Sequence, residues 1–235
     1  MQLQVIAHAH NGFSQKFGIP RQSREDSVIE TRIVFTPDYR VREALRGIEE
    51  FSHLWLLWGF HEAVRRVGDE SDISCSDWSP TVRPPRLGGN TRMGVFATRS
   101  PFRPNNLGLS SVKLLGVEHT KEYGTVLHVA GADLMDGTPI YDIKPYIKYA
   151  DSHPEAVCGY VDELPERYLN VELPDELAAL LPDPQALVDV LSLDPRPSYH
   201  DDPEREYGMT FSGFNVKFKV VNEPEGPVVH VLDIK

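Results

Sequence analysis

Six short runs rich in Val, Ile, Leu, Phe and Thr recur through the first 135 residues: "LQVIAHA", "SVIETRIVFT", "HLWLLWGF", "MGVFATR", "SVKLLGVEH" and "TVLHVAGADL". Each ends at a Gly, Pro, Asn or Asp signal, so each reads as a strand. Many short strands at moderate spacing point to an antiparallel barrel or sandwich, and closure protects the edges. One helix is expected among them, in "TPDYRVREALRGIEEF". There Thr36 is placed to cap, Pro37 suits the first turn, and Val41, Ala44, Leu45 and Ile48 share a face. "SVKLLGVEHTKEYGTVLHVAGADL" reads as a hairpin turning at Lys121 to Gly124, its second strand ending near Asp133, and "MDGTPIYDIKPY" as a turn-rich piece.

From about Ser152 the chain becomes acidic and Pro-rich. Pro182 and Pro184 split "DELAALLPDPQALVDVLSLD" into two short amphipathic stretches. A closing hairpin is expected from "TFSGFNVKFKVV" and "PVVHVLDI" around "NEPEG". The expected fold class is mainly β: a single antiparallel β-barrel over residues 1–150 with a small α+β appendage over 151–235. A chain of 235 residues with 40% apolar composition buries a core without covalent staples. No apolar stretch reaches membrane-spanning length, and the N-terminus lacks the basic flank and cleavage site of a secretory signal. A soluble, cytoplasmic protein is therefore expected. Cys75 and Cys158 belong to no ligand spacing, which argues against a zinc site.

The formal charge of −11 argues at first against a polyanionic partner, but the acidity is unevenly spread. Residues 1–150 carry 18 Lys and Arg against 17 Asp and Glu, whereas residues 151–235 carry 6 against 18. Residues 78–117 hold Arg83, Arg86, Arg92, Arg99, Arg103 and Lys113 and no acid. Arginine is planar and always charged, and its fork of donors suits phosphates and base faces. Interleaved Pro and Gly present these side chains at a surface, and "RSPFRPNNLGLS" adds Phe102, Asn105 and Asn106, a mixture suited to a nucleotide-like ligand. Ion pairing within the domain, or a loop plugging a barrel end with Phe102 as its anchor, would explain the same residues. His8 and His10 share one strand face, but no third metal ligand is evident. Phe60 and His61 end an apolar strand, and Asp133, Asp136 and Asp142 surround a Gly-Thr-Pro turn. No GxSxG, P-loop or dinucleotide fingerprint is present.

Together "KFGIPRQ" (16–22), "GIEEFSHLWLLWGFH" (47–61), "RPPRLGGNTRMGVFATRSPFRPNNLGLS" (83–110), "DLMDGTPIYDIKPY" (133–146) and "LDPRPSY" (193–199) resemble the tRNA N6-threonylcarbamoyladenosine methyltransferases. The resemblance spans essentially the whole chain, although "EAVRRVGDESDISCSDW" (62–78) is longer than the usual link. It implies S-adenosylmethionine as methyl donor, held by Pro20, Arg21, Gln22, Phe60, His61, Arg99, Leu109, Asp133, Leu134, Met135 and Asp136. It further implies a homodimer acting on a modified adenosine 3′ to a tRNA anticodon. His61 and Asp136 are then the candidate proton acceptors, and Arg83, Arg86, Arg92, Arg103 and Arg196 the candidate contacts to the anticodon arm. Two other readings are a noncatalytic RNA- or nucleotide-binding barrel and a metal-dependent phosphoesterase built on His8, His10 and His61.

Overall fold

The computed structural model describes residues 2–62, 78–88, 90–163, 168–196 and 202–235, and of Arg86 the backbone alone. The 62–78 link falls almost wholly outside the described residues, as do Gly89 and the last three residues of "LDPRPSY". The N-terminal strands are β1 (Ala7–His10), β2 (Glu30–Phe35), β3 (His53–Gly59), β4 (Thr81–Val82), β5 (Met93–Gly94), β6 (Leu107–Thr120), β7 (Gly124–Ala130) and β8 (Pro139–Pro145). Helix α1 (Lys148–Asp151) leads to β9 (Asn170–Glu172), α2 (Asp175–Ala178) and α3 (Pro184–Ser192). Strands β10 (Tyr207–Phe211), β11 (Phe214–Glu223) and β12 (Gly226–Ile234) end the chain.

Six strands pair in the order β1-β2-β7-β6-β3-β8, and β1 also pairs with β8 through Ala7 and Ile140, which closes the sheet into a barrel. Period-two alternation sorts the faces. Ala7, Ala9, Ile33, Leu54, Leu56, Val112, Leu127, Val129 and Ile140 fill the interior, while His8 and His10 face outward from β1. Trp58 packs inward over Gly108, its register partner on β6, where any β-carbon would run into the indole.

Four elements differ from the sequence expectation. The segment after β2 is three separate 3-10 turns, Pro37–Tyr39, Arg42–Leu45 and Ile48–Glu50, not one helix. Val41 and Arg46 are extended and Gly47 lies at φ 86°, so the helical run is cut twice; Leu45 and Ile48 still reach the barrel core. "MGVFATR" pairs only through Met93 and Gly94 and then turns through Val95–Ala97. Residues 139–145, read as turn-rich, form β8, the strand that completes the ring. The C-terminal run breaks at Ser212 and Gly213, both at positive φ, into a tight β10–β11 hairpin of the kind that matches strand twist.

The C-terminal sheet runs β10-β11-β12-β9, with β9 parallel to β12. Helix α3 packs Ala186, Leu187, Val190 and Leu191 onto this sheet, and the Asp183 carboxylate caps it by accepting from the Ala186 amide at 3.1 Å. This second core also takes in Phe13 and Ile29 from the N-terminal half. The Phe13 and Phe211 rings are 5.5 Å apart, Ser212 N donates to Gly12 O, and Ser27 Oγ donates to Asp189 at 2.8 Å. No helix among the described residues is long and apolar enough to cross a membrane.

Candidate functional site

A polar chain crosses from the barrel interior to its surface. Trp58 Nε1 donates to Ser110 Oγ at 2.9 Å, and Ser110 Oγ donates to Asp133 Oδ1 at 2.5 Å. Asp133 sits just past β7, beyond Gly131, whose φ of 80° turns the chain and whose carbonyl accepts from the Arg24 amide. Burial pushes the Asp133 carboxyl above its ordinary range, opposed by the Ser110 hydroxyl, by backbone amides including that of Ser23, and by the charge of Arg99. Arg99 in turn donates to Gln22 Oε1 at 2.5 Å, and Gln22 donates to Arg21 O. Arg21 reaches Arg196 O at 3.2 Å, where Arg196 is forked onto Asp194 at 2.7 and 2.9 Å. Segments far apart in sequence thus meet: Arg21 and Gln22, Arg99, Asp133, and Arg196 from the C-terminal unit.

A second group lies at the end of β1. Asn11 Nδ2 donates to Leu134 O at 2.9 Å, Asp136 N to Phe13 O, and Gly137 N to Ala9 O, lacing the strand end to the 133–138 turn. His10 Nδ1 is 3.2 Å from Asp136 Oδ1, which also accepts from the Asn11 amide. Burial, and then the neighbouring imidazoles of His10 and His61, lower the pKa of His8. Phe60 meets the Trp58 ring edge-on at 4.3 Å, and its amide donates to Asn106 O.

The remaining expected site residues fall less uniformly. Leu109 is half exposed on the outer face, opposite Leu57. Pro20 is buried beside a cleft of about 180 Å³ between the 16–21 segment and residues 190–195. The Leu134 side chain is buried in the barrel core, so its only outward-facing group is its backbone, and its carbonyl is already bonded to Asn11. Met135 is partly exposed and its carbonyl accepts from the Thr138 hydroxyl.

Among the arginines, Arg83 and Arg92 are exposed, and Arg92 donates to Thr81 Oγ1. The Arg103 guanidinium donates to the carbonyls of Val95 and Thr98 and lies 5.7 Å from the Phe96 ring centroid, so it pins its own loop. The Arg86 side chain lies outside the described residues. Among those described, the one group with metal-ligand proximity is Glu172, Glu223 and His230 on the C-terminal sheet, not the His8, His10 and His61 set. Sequence reasoning missed Ser110, Trp58 and Asp194. A serine at an inward strand position was the available signal for Ser110, since a buried hydroxyl needs a partner.

The sequence profile of the tRNA-methyltransferase O N-terminal domain matches residues 8–152, and that of the TrmO C-terminal domain matches residues 167–235. A tRNA (adenine(37)-N6)-methyltransferase of Escherichia coli K12 is 38% identical over 231 residues, covering 94% of each chain. A putative S-adenosylmethionine-dependent methyltransferase of Pseudomonas aeruginosa is 36% identical, covering 97% of this chain and 95% of that one. The crystal structure of TrmO from Pseudomonas aeruginosa superposes with a TM-score of 0.75 at 31% identity, covering 100% of this chain and 98% of the other.

Proposed function

The chain belongs to the tRNA-methyltransferase O family, and from that premise we propose that it transfers a methyl group from S-adenosylmethionine to N6 of threonylcarbamoyladenosine at position 37 of tRNA, acting as a homodimer. The observation that carries the reading is the convergence of Asp133, Arg99 and Gln22 at the barrel mouth. The donor set fits the methyl donor: a largely desolvated carboxylate suits an α-ammonium, a guanidinium fork suits a carboxylate, and half-exposed Leu109 and partly exposed Phe60 each offer apolar surface to a purine. Pro20 and Arg21, Met135 and the backbone at Leu134 would complete the contact, while the Leu134 side chain serves the core.

The donor supplies an already activated methyl group, so the protein's task is alignment and water exclusion, which together account for roughly 7–11 kcal/mol of a barrier in favourable cases. Exposed Arg83 and Arg92 are suited to anticodon-arm phosphates; Arg103 pins the neighbouring 95–98 turn, and Arg196 braces Arg21. We read residues 1–150 as the donor-binding unit and 151–235 as the unit that steadies it. The test pairs calorimetric titration of S-adenosylmethionine with mass spectrometry of tRNA nucleosides from cells with and without the gene. Donor heat and a gene-dependent methylated threonylcarbamoyladenosine are expected. Absence of donor heat would favour a noncatalytic binding barrel instead.

A further inference from the structure

Methylation of a ureido-type N6 releases a proton, and the end of β1 holds a histidine with the geometry to receive it. His10 and Asp136 are each about half exposed, with side-chain accessibilities of 47% and 45%. The Asp136 carboxylate accepts from the Asn11 amide and faces His10 Nδ1, so it fixes the tautomer with the proton on Nδ1 and the lone pair on Nε2. Nε2 has no protein partner among the described residues. The bonds from Asn11, Asp136 and Gly137 tie this dyad to the turn carrying Asp133. His61 has no carboxylate against its ring among the described residues, and Asp136 is already committed to two donors.

We propose that His10, oriented by Asp136, is the general base of the transfer. The inference rests on the methyltransferase reading above. The acceptor N6 forms its bond to the methyl carbon, the carbon–sulfur bond breaks with its electron pair left on sulfur, and the N6 proton passes to His10 Nε2. The resulting imidazolium is held by Asp136 and returns its proton to solvent. Among the described residues, the other titratable or charged groups set near the ring are His8 on the same strand and Arg32, its register partner on β2, while His61 lies near His8.

The test uses the full chain, with His10→Gln and Asp136→Asn beside the wild type. Three quantities are read: single-turnover methylation of tRNA against pH, donor affinity by calorimetry, and the imidazole ¹⁵N spectrum of the ligand-free protein. His10→Gln is expected to slow methylation by about 10²- to 10⁴-fold, to abolish the rise of rate with pH, and to leave donor affinity within about twofold. The His10 spectrum should show Nδ1–H in the wild type and a mixture of tautomers in Asp136→Asn. A His10→Gln enzyme with wild-type rate and pH profile, or one that loses donor binding in proportion to rate, overturns the assignment. So does an Nε2–H tautomer in the wild type. A wild-type protein that shows the expected tautomer but methylates no tRNA overturns the tRNA reading and, with it, the role of the dyad as base.

Discussion

At the scale of single residues, Asp133 combines a stability cost with the donor-binding role proposed for it. Its folded-state pKa is raised by burial, so the native state holds that proton more tightly than the unfolded chain does, and its ionisation costs stability as pH rises through the carboxylate range. Asp133→Asn should therefore unfold at a higher temperature than wild type near neutral pH. The advantage should shrink as pH falls toward the range where the unfolded carboxyl is protonated, and calorimetric melts at several pH values read both. The same variant should bind S-adenosylmethionine poorly, the trade expected of a buried charge kept for function. Arg99→Ala should weaken donor binding roughly ten- to a hundredfold by removing a charge-assisted contact; unchanged affinity in a titration would place the donor elsewhere. Both residues, and Gln22, were legible in the sequence as polar groups within long motifs, whereas Ser110 and the pairings themselves were not. Ser110 lies 23 positions from Asp133 and Gln22 lies 77 from Arg99, and no local signal links residues at such separations.

At the scale of elements, two local devices hold the site. Gly131 turns the chain between β7 and Asp133 in a left-handed conformation, and a β-carbon there would meet the Arg24 carbonyl. Gly131→Ala meets both penalties and should cost about 2–5 kcal/mol by urea unfolding, with weakened donor binding because the turn itself must shift. Helix α3 depends on its cap, so Asp183→Ala should cost about 1 kcal/mol. Strand runs were readable because alternation and β-branched composition report a half-buried face, as in Ala7 and Ala9 against His8 and His10. The helix expected after β2 was not realised, because apolar spacing says nothing about Gly47 adopting positive φ or Val41 extending. Strand β8 went unread because its Pro, Asp and Lys residues resemble a loop until β1 and β3 supply partners on both sides.

At the scale of the whole molecule, charge is partitioned: the acid-free arginine segment belongs to the N-terminal half, whose charges nearly cancel, and the net charge of −11 arises from the C-terminal unit. If the exposed arginines meet phosphates, Arg83→Ala with Arg92→Ala should flatten the slope of log affinity for tRNA against log salt by about 0.7–0.9 per residue, sparing donor affinity. Filter binding at several salt concentrations would show it. The two units share Phe13, Ile29 and the Ser27–Asp189 bond, so unfolding followed by calorimetry should show one cooperative transition. Alternation along each run, the turn residues and the uneven distribution of charge were enough to establish a mainly β chain with a basic, arginine-rich segment, since these are short-range properties of neighbouring residues. Folding in three dimensions decided which strand closes the barrel, which carboxylate is buried beside Arg99, which arginines stay exposed, and that His10 faces Asp136. Each of those depends on residues distant in sequence being brought within a few ångströms, where desolvation and hydrogen bonding act.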